Sequence, residues 1–389
     1  IGPKDIAPDF LPKVYSLWCD GMRSKTVGGL SRKYFTAADF FKRLNLHKET
    51  HMIQRRELLA SSLGTALLSA VGMAQAQTPW MFALFTGVMI GTAQAGTTYA
   101  VIYGVIGRNV SASKRSWAMG VAAAAGSFGQ FLMVPTEGYL ISTFGWQEAL
   151  VWLALSTMLI IPLAYGLREP GFGGGATPNR DQSIMHALRE AMNYRSFQLL
   201  MAGYFVCGFQ VVFIGVHMPS YLKDHGLSPE VASIALALIG LFNVFGTYIA
   251  GSLGQRMAKR KILSFIYFSR SVAIVLFLLA PLTPMSVYIF SSVMGFLWLS
   301  TVPPTNAVVA QIFGVAHLSM LGGFVFFSHQ IGSFMGVWLG GYLYDKTGSY
   351  DIVWYISIAL GVFAALVNLP VKESAIERHD KQAPKAVAA

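Results

Sequence analysis

The chain has 389 residues, of which 54% are hydrophobic and only 12% charged, with a formal net charge of +11; soluble globular domains carry about 25% charged residues. So few charges cannot cover a water-facing surface, which excludes an ordinary soluble domain, and the basic residues lie in short loops between apolar runs, which excludes a nucleic-acid-binding role. Cys19 lies in a polar segment and Cys207 inside an apolar run, so neither a disulfide framework nor a cysteine zinc site is implied.

Residues 1–52 carry charges every few positions and hold no stretch able to cross a hydrocarbon core of ~30 Å. About ten apolar windows follow, at 57–76, 80–106, 117–141, 146–167, 196–222, 230–254, 262–281, 284–311, 319–344 and 350–370. All are expected to be helices, because unpaired backbone is too costly in lipid and no alternating barrel pattern is present. Gly171 to Thr177 is glycine-rich and precedes an amphipathic run at Ser183 to Tyr194. The expected organisation is therefore a polar segment at 1–52, a four-helix bundle at 53–170, a linker at 171–195, a six-helix bundle at 196–372 and a tail at 373–389.

Loops bearing Arg108, Lys114 and Arg115, then Arg168 to Arg195, then Arg256, Lys259, Arg260 and Lys261 alternate with loops poor in Lys and Arg at Gln77–Pro79, Ser142–Gly145 and Leu282–Thr283. The basic set reads as cytoplasmic, as do both termini.

An internal repeat runs at a constant offset of 203 residues, matching Gly120 with Gly323, Phe131 with Phe334, Gly138 with Gly341, Tyr139 with Tyr342, Leu140 with Leu343 and Gly145 with Gly348. Parallel repeats related by an axis along the membrane normal are one of the plans of secondary transporters. The same offset sets residues 1–52 opposite 204–255, where two apolar spans stand. The register is kept while the hydrophobicity is lost, so the segment reads as a substitution for two helices through a wrong reading frame or a rearranged gene end. The start on Ile1 fits that reading, and a genuine cytoplasmic extension is the alternative.

The run Gly251-Ser-Leu-Gly-Gln-Arg256-Met-Ala-Lys-Arg-Lys261 resembles the signature loop of the major facilitator superfamily, with Gln255 standing where an aspartate is common. The resemblance covers about residues 53–372. Leu236 to Gly246 and Phe326 to Gly341 are similar to bacterial monocarboxylate-transporter-like and oxalate/formate-antiporter-like members. The resemblance implies twelve helices in two bundles around a cavity that opens to alternate sides, of which about ten are visible here. It also implies residence in a bacterial inner (plasma) membrane.

Polar side chains at mid-membrane are expensive and mark candidate sites. His329 and Gln330 lie centrally in the 319–344 window among Phe326, Phe327 and Phe334, and a histidine there suits proton coupling, a carboxylate partner or a neutral interhelical bond. In oxalate/formate-type relatives a cationic residue in the corresponding helix is implicated in anion binding. Arg270 lies ~12 Å into its window, either facing the cavity as a carboxylate fork or snorkelling to the surface. Asn243 and Thr247 stand where monocarboxylate-transporter relatives carry an Asp and Arg pair, which puts proton coupling of that type in question. His217, before Pro219 and Tyr221, is a candidate for the external mouth. Gln210, Gln130, Asn306 and Tyr99 could supply neutral hydrogen bonds to a substrate or to neighbouring helices. Glu137 is read as a structural pair.

No HExxH helix, phosphate-binding glycine loop or Ser/His/Asp set on one face is present, so no enzyme, cofactor or metal centre is expected. The expected function is alternating-access movement of a small organic anion, most plausibly a carboxylate, with or without coupled protons. A non-transporting remnant or a membrane sensor is the alternative.

Overall fold

The computed structural model describes residues 64–95, 97–160 and 182–376. Residues 1–63, which include the whole polar segment 1–52, and residues 171–181 of the central linker therefore lie outside the described residues. All described regular structure is helical. The helices of the first half are α1 (Gly64–Ala74), α2 (Pro79–Ala83), α3 (Gly91–Ala95), α4 (Tyr99–Asn109), α5 (Ala112–Phe144) and α6 (Trp146–Ser156). A short helix α7 (Ile184–Met192) leads into the second half, α8 (Arg195–Asp224), α9 (Pro229–Leu253), α10 (Lys259–Leu279), α11 (Pro284–Leu297), α12 (Val302–Phe313), α13 (Leu318–Thr347) and α14 (Asp351–Asn368).

Among the described residues, seven helical stretches are long and apolar enough to cross a membrane: α5, α8, α9, α10, α11 with α12, α13 and α14. The window expected at 80–106 is not one helix. α2 passes into wide π-type turns at Leu84–Ile90, and the chain turns at Thr97 before α4 begins. The glycines Gly87, Gly91 and Gly96 and the pair Thr97–Thr98 are poor helix formers, so apolar content does not translate into continuity there. The window at 284–311 does span as expected, with a local interruption between α11 and α12. Pro303 and Pro304 occupy the first turn of α12, where no N–H is needed.

The burial pattern is that of a protein whose solvent is lipid. Phe265, Phe268, Val272, Leu276 and Leu279 form an exposed apolar stripe along α10, while Gln210, Asn243, Thr247, Arg270 and Ser271 are buried. Helices approach closely where glycine removes the side chain. Gly208 of α8 lies against the His329 carbonyl of α13, and Gly332 and Gly336 of α13 lie against the carbonyls of Phe205 and Phe209. α5 and α9, one from each half, cross with Gly120 on Gly251 and Phe131 on Gly240.

The 203-residue repeat relates α5 to α13. Both helices end at a glycine with positive φ, Gly145 at 82° and Gly348 at 69°, a conformation that favours glycine.

Candidate functional site

α8, α10 and α13 all begin at the end of the bundle that carries the basic loop, where Lys259 bonds Gln311 of α12 and the Lys372 N–H bonds Ser196 of α8. Arg270 and His329 are each the twelfth residue of their helices, so both lie about 16 Å from that end at ~1.5 Å per residue. That depth is near the middle of a bilayer core.

Arg270 is completely buried and neither snorkels nor presents a free fork. Its Nη2 donates to the carbonyls of Leu297 (2.8 Å) and Trp298, its Nε to Leu297, and its Nη1 to Gln210 Oε1 at 3.4 Å. Leu297 closes α11, so the guanidinium satisfies carbonyls that the break before α12 has freed. It also lies over the Tyr267 ring, 5.3 Å from the centroid. The charge itself is not neutralised. Among the described residues no Asp or Glu is buried and none pairs with Arg270.

Cys207 connects this cation to the seam between the halves. Its Sγ accepts from Arg270 Nη2 at 3.6 Å, lies 3.3 Å from Thr301 Oγ1 and interacts with the His329 ring. His329 stacks on Phe326 with centroids 5.2 Å apart and lies equally far from the Tyr204 ring. His329 Nδ1 lies 3.3 Å from both Gln330 Oε1 and Ser333 Oγ, while beyond the Cys207 contact to the ring Nε2 has no hydrogen-bond partner among the described residues. Tyr99 and Tyr103 of α4, in the first half, stack 5.4 Å apart. The phenol oxygens of Tyr103 and Tyr204 are buried and, among the described residues, make no hydrogen bond.

Several expected site residues are committed to packing. Gln210 donates to the Ser357 carbonyl at 2.8 Å besides accepting from Arg270. Asn243 joins Ser127 and the Leu299 N–H, and Asn306 donates to its own helix at Val302. His217 Nε2 meets the Val337 carbonyl at 3.0 Å. The Gln130 backbone lies at the α5–α9 crossing against Gly240, and the Tyr99 hydroxyl lies against Gly126. In the signature loop, Gly251 seats Gly120, Lys259 pairs with Glu373 at 3.7 Å, Arg260 donates to the Leu369 carbonyl, and Arg256 and Lys261 are exposed.

The structure thus brings His329 and Arg270 together through Cys207 and adds Tyr103, Tyr204, Tyr267 and Thr301, which sequence reading passed over. Tyrosines and threonines inside apolar windows are ordinary there, and only the spacing of Tyr99 and Tyr103, one helical turn apart, offered a signal.

A family model described as Major Facilitator Superfamily matches residues 52–335 and 200–388. The uncharacterized MFS-type transporter YcxA of Bacillus subtilis is 24% identical over 272 residues, 67% of this chain and 66% of that protein. Monocarboxylate transporter 12-B of Danio rerio is 24% identical over 278 residues, 63% of this chain and 58% of that protein. The chain thus spans 66% and 58% of the length of these two curated relatives. Among solved structures, FucP in the outward conformation aligns with a TM-score of 0.58 at 14% identity, covering 80% of this chain and 83% of that one. The proton:xylose symporter XylE bound to 6-bromo-6-deoxy-D-glucose aligns at 0.60 and 16%, covering 82% and 80%.

Proposed function

The chain belongs to the major facilitator superfamily, and from that premise we propose that it carries a small organic anion, a carboxylate, across the membrane by alternating access of its two halves. The observation that carries the reading is Arg270. A full positive charge stands at mid-depth with no acidic partner among the described residues, and its one link toward the seam is Cys207 against His329. In a low-dielectric interior such a charge favours an anion in the neighbouring site over a neutral or cationic solute, even without touching it. The printed names of the monocarboxylate relatives point the same way. His329 is the group through which a proton would be coupled, and the proton symporters among the structural neighbours make that coupling worth testing.

The experiment is uptake of labelled monocarboxylates and dicarboxylates into proteoliposomes, with and without a pH gradient. Uptake of a carboxylate, enhanced by an inward proton gradient, is expected. Correctly inserted protein that accumulates none would sink the reading.

A further inference from the structure

A cavity of about 330 Å³ opens at the basic-loop end of the bundle, lined among others by Arg115 of α5, Gln255 of the loop after α9, Lys259 at the start of α10 and Gln311 of α12. It is many times larger than the ~30 Å³ share of one water in the liquid. Its lining carries two cations, one from each half, and no carboxylate. Lys259 opens α10 and Arg270 is its twelfth residue, ~16 Å further on at ~1.5 Å per residue, so this cavity is separate from the mid-membrane cluster.

Both cations hold donors in reserve. Arg115 Nη2 reaches the Val110 carbonyl at 3.4 Å, while its Nε is buried and makes no hydrogen bond among the described residues. Buried polar groups are nearly always paired, so that N–H calls for an acceptor. Lys259 Nζ donates to Gln311 Oε1 at 2.9 Å, and Glu373, 3.7 Å away and outside the cavity lining, also takes the Arg260 N–H. An ammonium has three donors, so Lys259 keeps at least one, and Gln311, with its oxygen occupied, keeps its amide N–H groups. Donors therefore reach the cavity from α5, α10 and α12. A tetrahedral phosphate can meet them with separate oxygens, whereas a carboxylate has only two, in one plane.

We propose that this cavity binds a phosphate group, carried either by inorganic phosphate or by the headgroup of an anionic lipid. Since Arg115 belongs to the first half and Lys259 and Gln311 to the second, the bound group braces the halves at the basic-loop end. Nothing in this depends on which solute the protein carries.

The test melts the full chain, purified in detergent and stripped of lipid, in sodium chloride and in sodium phosphate at equal ionic strength and pH. A second arm uses nanodiscs of phosphatidylcholine with and without phosphatidic acid in phosphate-free buffer. Expected is a saturable rise in melting temperature. A rise with phosphate in detergent assigns the soluble ion, and a rise confined to phosphatidic acid assigns the headgroup. Arg115→Gln should raise the amount of ligand needed for half the response about tenfold or more, the size of one charge-assisted hydrogen bond. Gln255→Glu keeps both cations and places a carboxylate in the cavity, so it should melt higher without ligand and lose the response. Should Arg115→Gln fail to fold, the Gln255→Glu result decides alone. Melting that neither ligand shifts, or a response that Gln255→Glu retains at native strength, overturns the site.

Discussion

Asn243 of α9 donates its side-chain amide to Ser127 Oγ of α5 at 2.9 Å, and its Oδ1 accepts the Leu299 N–H at 2.9 Å. One buried amide thus ties the first half to the second and also meets the chain between α11 and α12. Ser127 spends its own proton on Ala123, so it needs a donor from outside its helix. Asn243→Leu keeps the branching and number of side-chain heavy atoms and removes both bonds. It should destabilise the protein by about 1–3 kcal/mol, read as a lower melting temperature in detergent. An unchanged melt would remove the structural role assigned to this pair.

Gly251 should tolerate nothing larger. A Cβ there would lie 2.6 Å from Gly120 Cα and 2.8 Å from the Ser116 carbonyl, both backbone atoms that cannot rotate away. Gly251→Val is expected to abolish uptake in membranes that still contain the protein. Gly138→Ala, where nothing among the described residues lies within 4 Å, serves as the silent control. Equal uptake by the two variants would mean that the α5–α9 crossing is not needed in this form.

Arg270 has two separable duties, filling the carbonyls freed at the break and supplying charge. Arg270→Lys keeps the charge but replaces a planar fork with a single ammonium, so it should lower stability and retain much of the anion affinity. Arg270→Gln should lower both, with each carbonyl left bare costing about 1–3 kcal/mol. Anion binding by the glutamine variant at native strength would show that the buried charge does not act on the site.

The repeat predicts an asymmetry between its two terminal glycines. Gly348 closes α13 at φ 69° and ψ 12°, a left-handed conformation that asparagine also adopts. Gly145 closes α5 at φ 82° and ψ 163°, a region essentially restricted to glycine. Gly348→Asn should therefore melt near the native temperature, while Gly145→Asn should lose about 1–3 kcal/mol. Equal melting of the pair would contradict the assigned backbone conformations.

The membrane helices were legible in sequence wherever apolar residues ran unbroken, as in α8, α9, α10, α13 and α14. The window at 80–106 was misjudged as one helix, because hydropathy counts side chains while helix continuity depends on backbone preferences, which Gly and Thr alter. His329 and Arg270 stood out because charge in an apolar run is conspicuous. Tyr103, Tyr204 and Cys207 did not, since nothing in a single window distinguishes a paired phenol from an unpaired one.

By itself the sequence determined that the protein lives in lipid, that its solvent-facing stripes are apolar, and that α5 and α13 are related by a repeat ending in glycine. Those properties follow from composition and periodicity, which act locally along the chain. Only the tertiary structure decided which polar atoms find partners. It assigned the donors of Arg270 to a broken helix, those of Gln210 and Asn243 to neighbouring helices, and left the phenols of Tyr103 and Tyr204 without a hydrogen bond among the described residues. Hydrogen bonding between distant segments depends on how helices cross, and the crossings depend on glycine contacts that no single window contains.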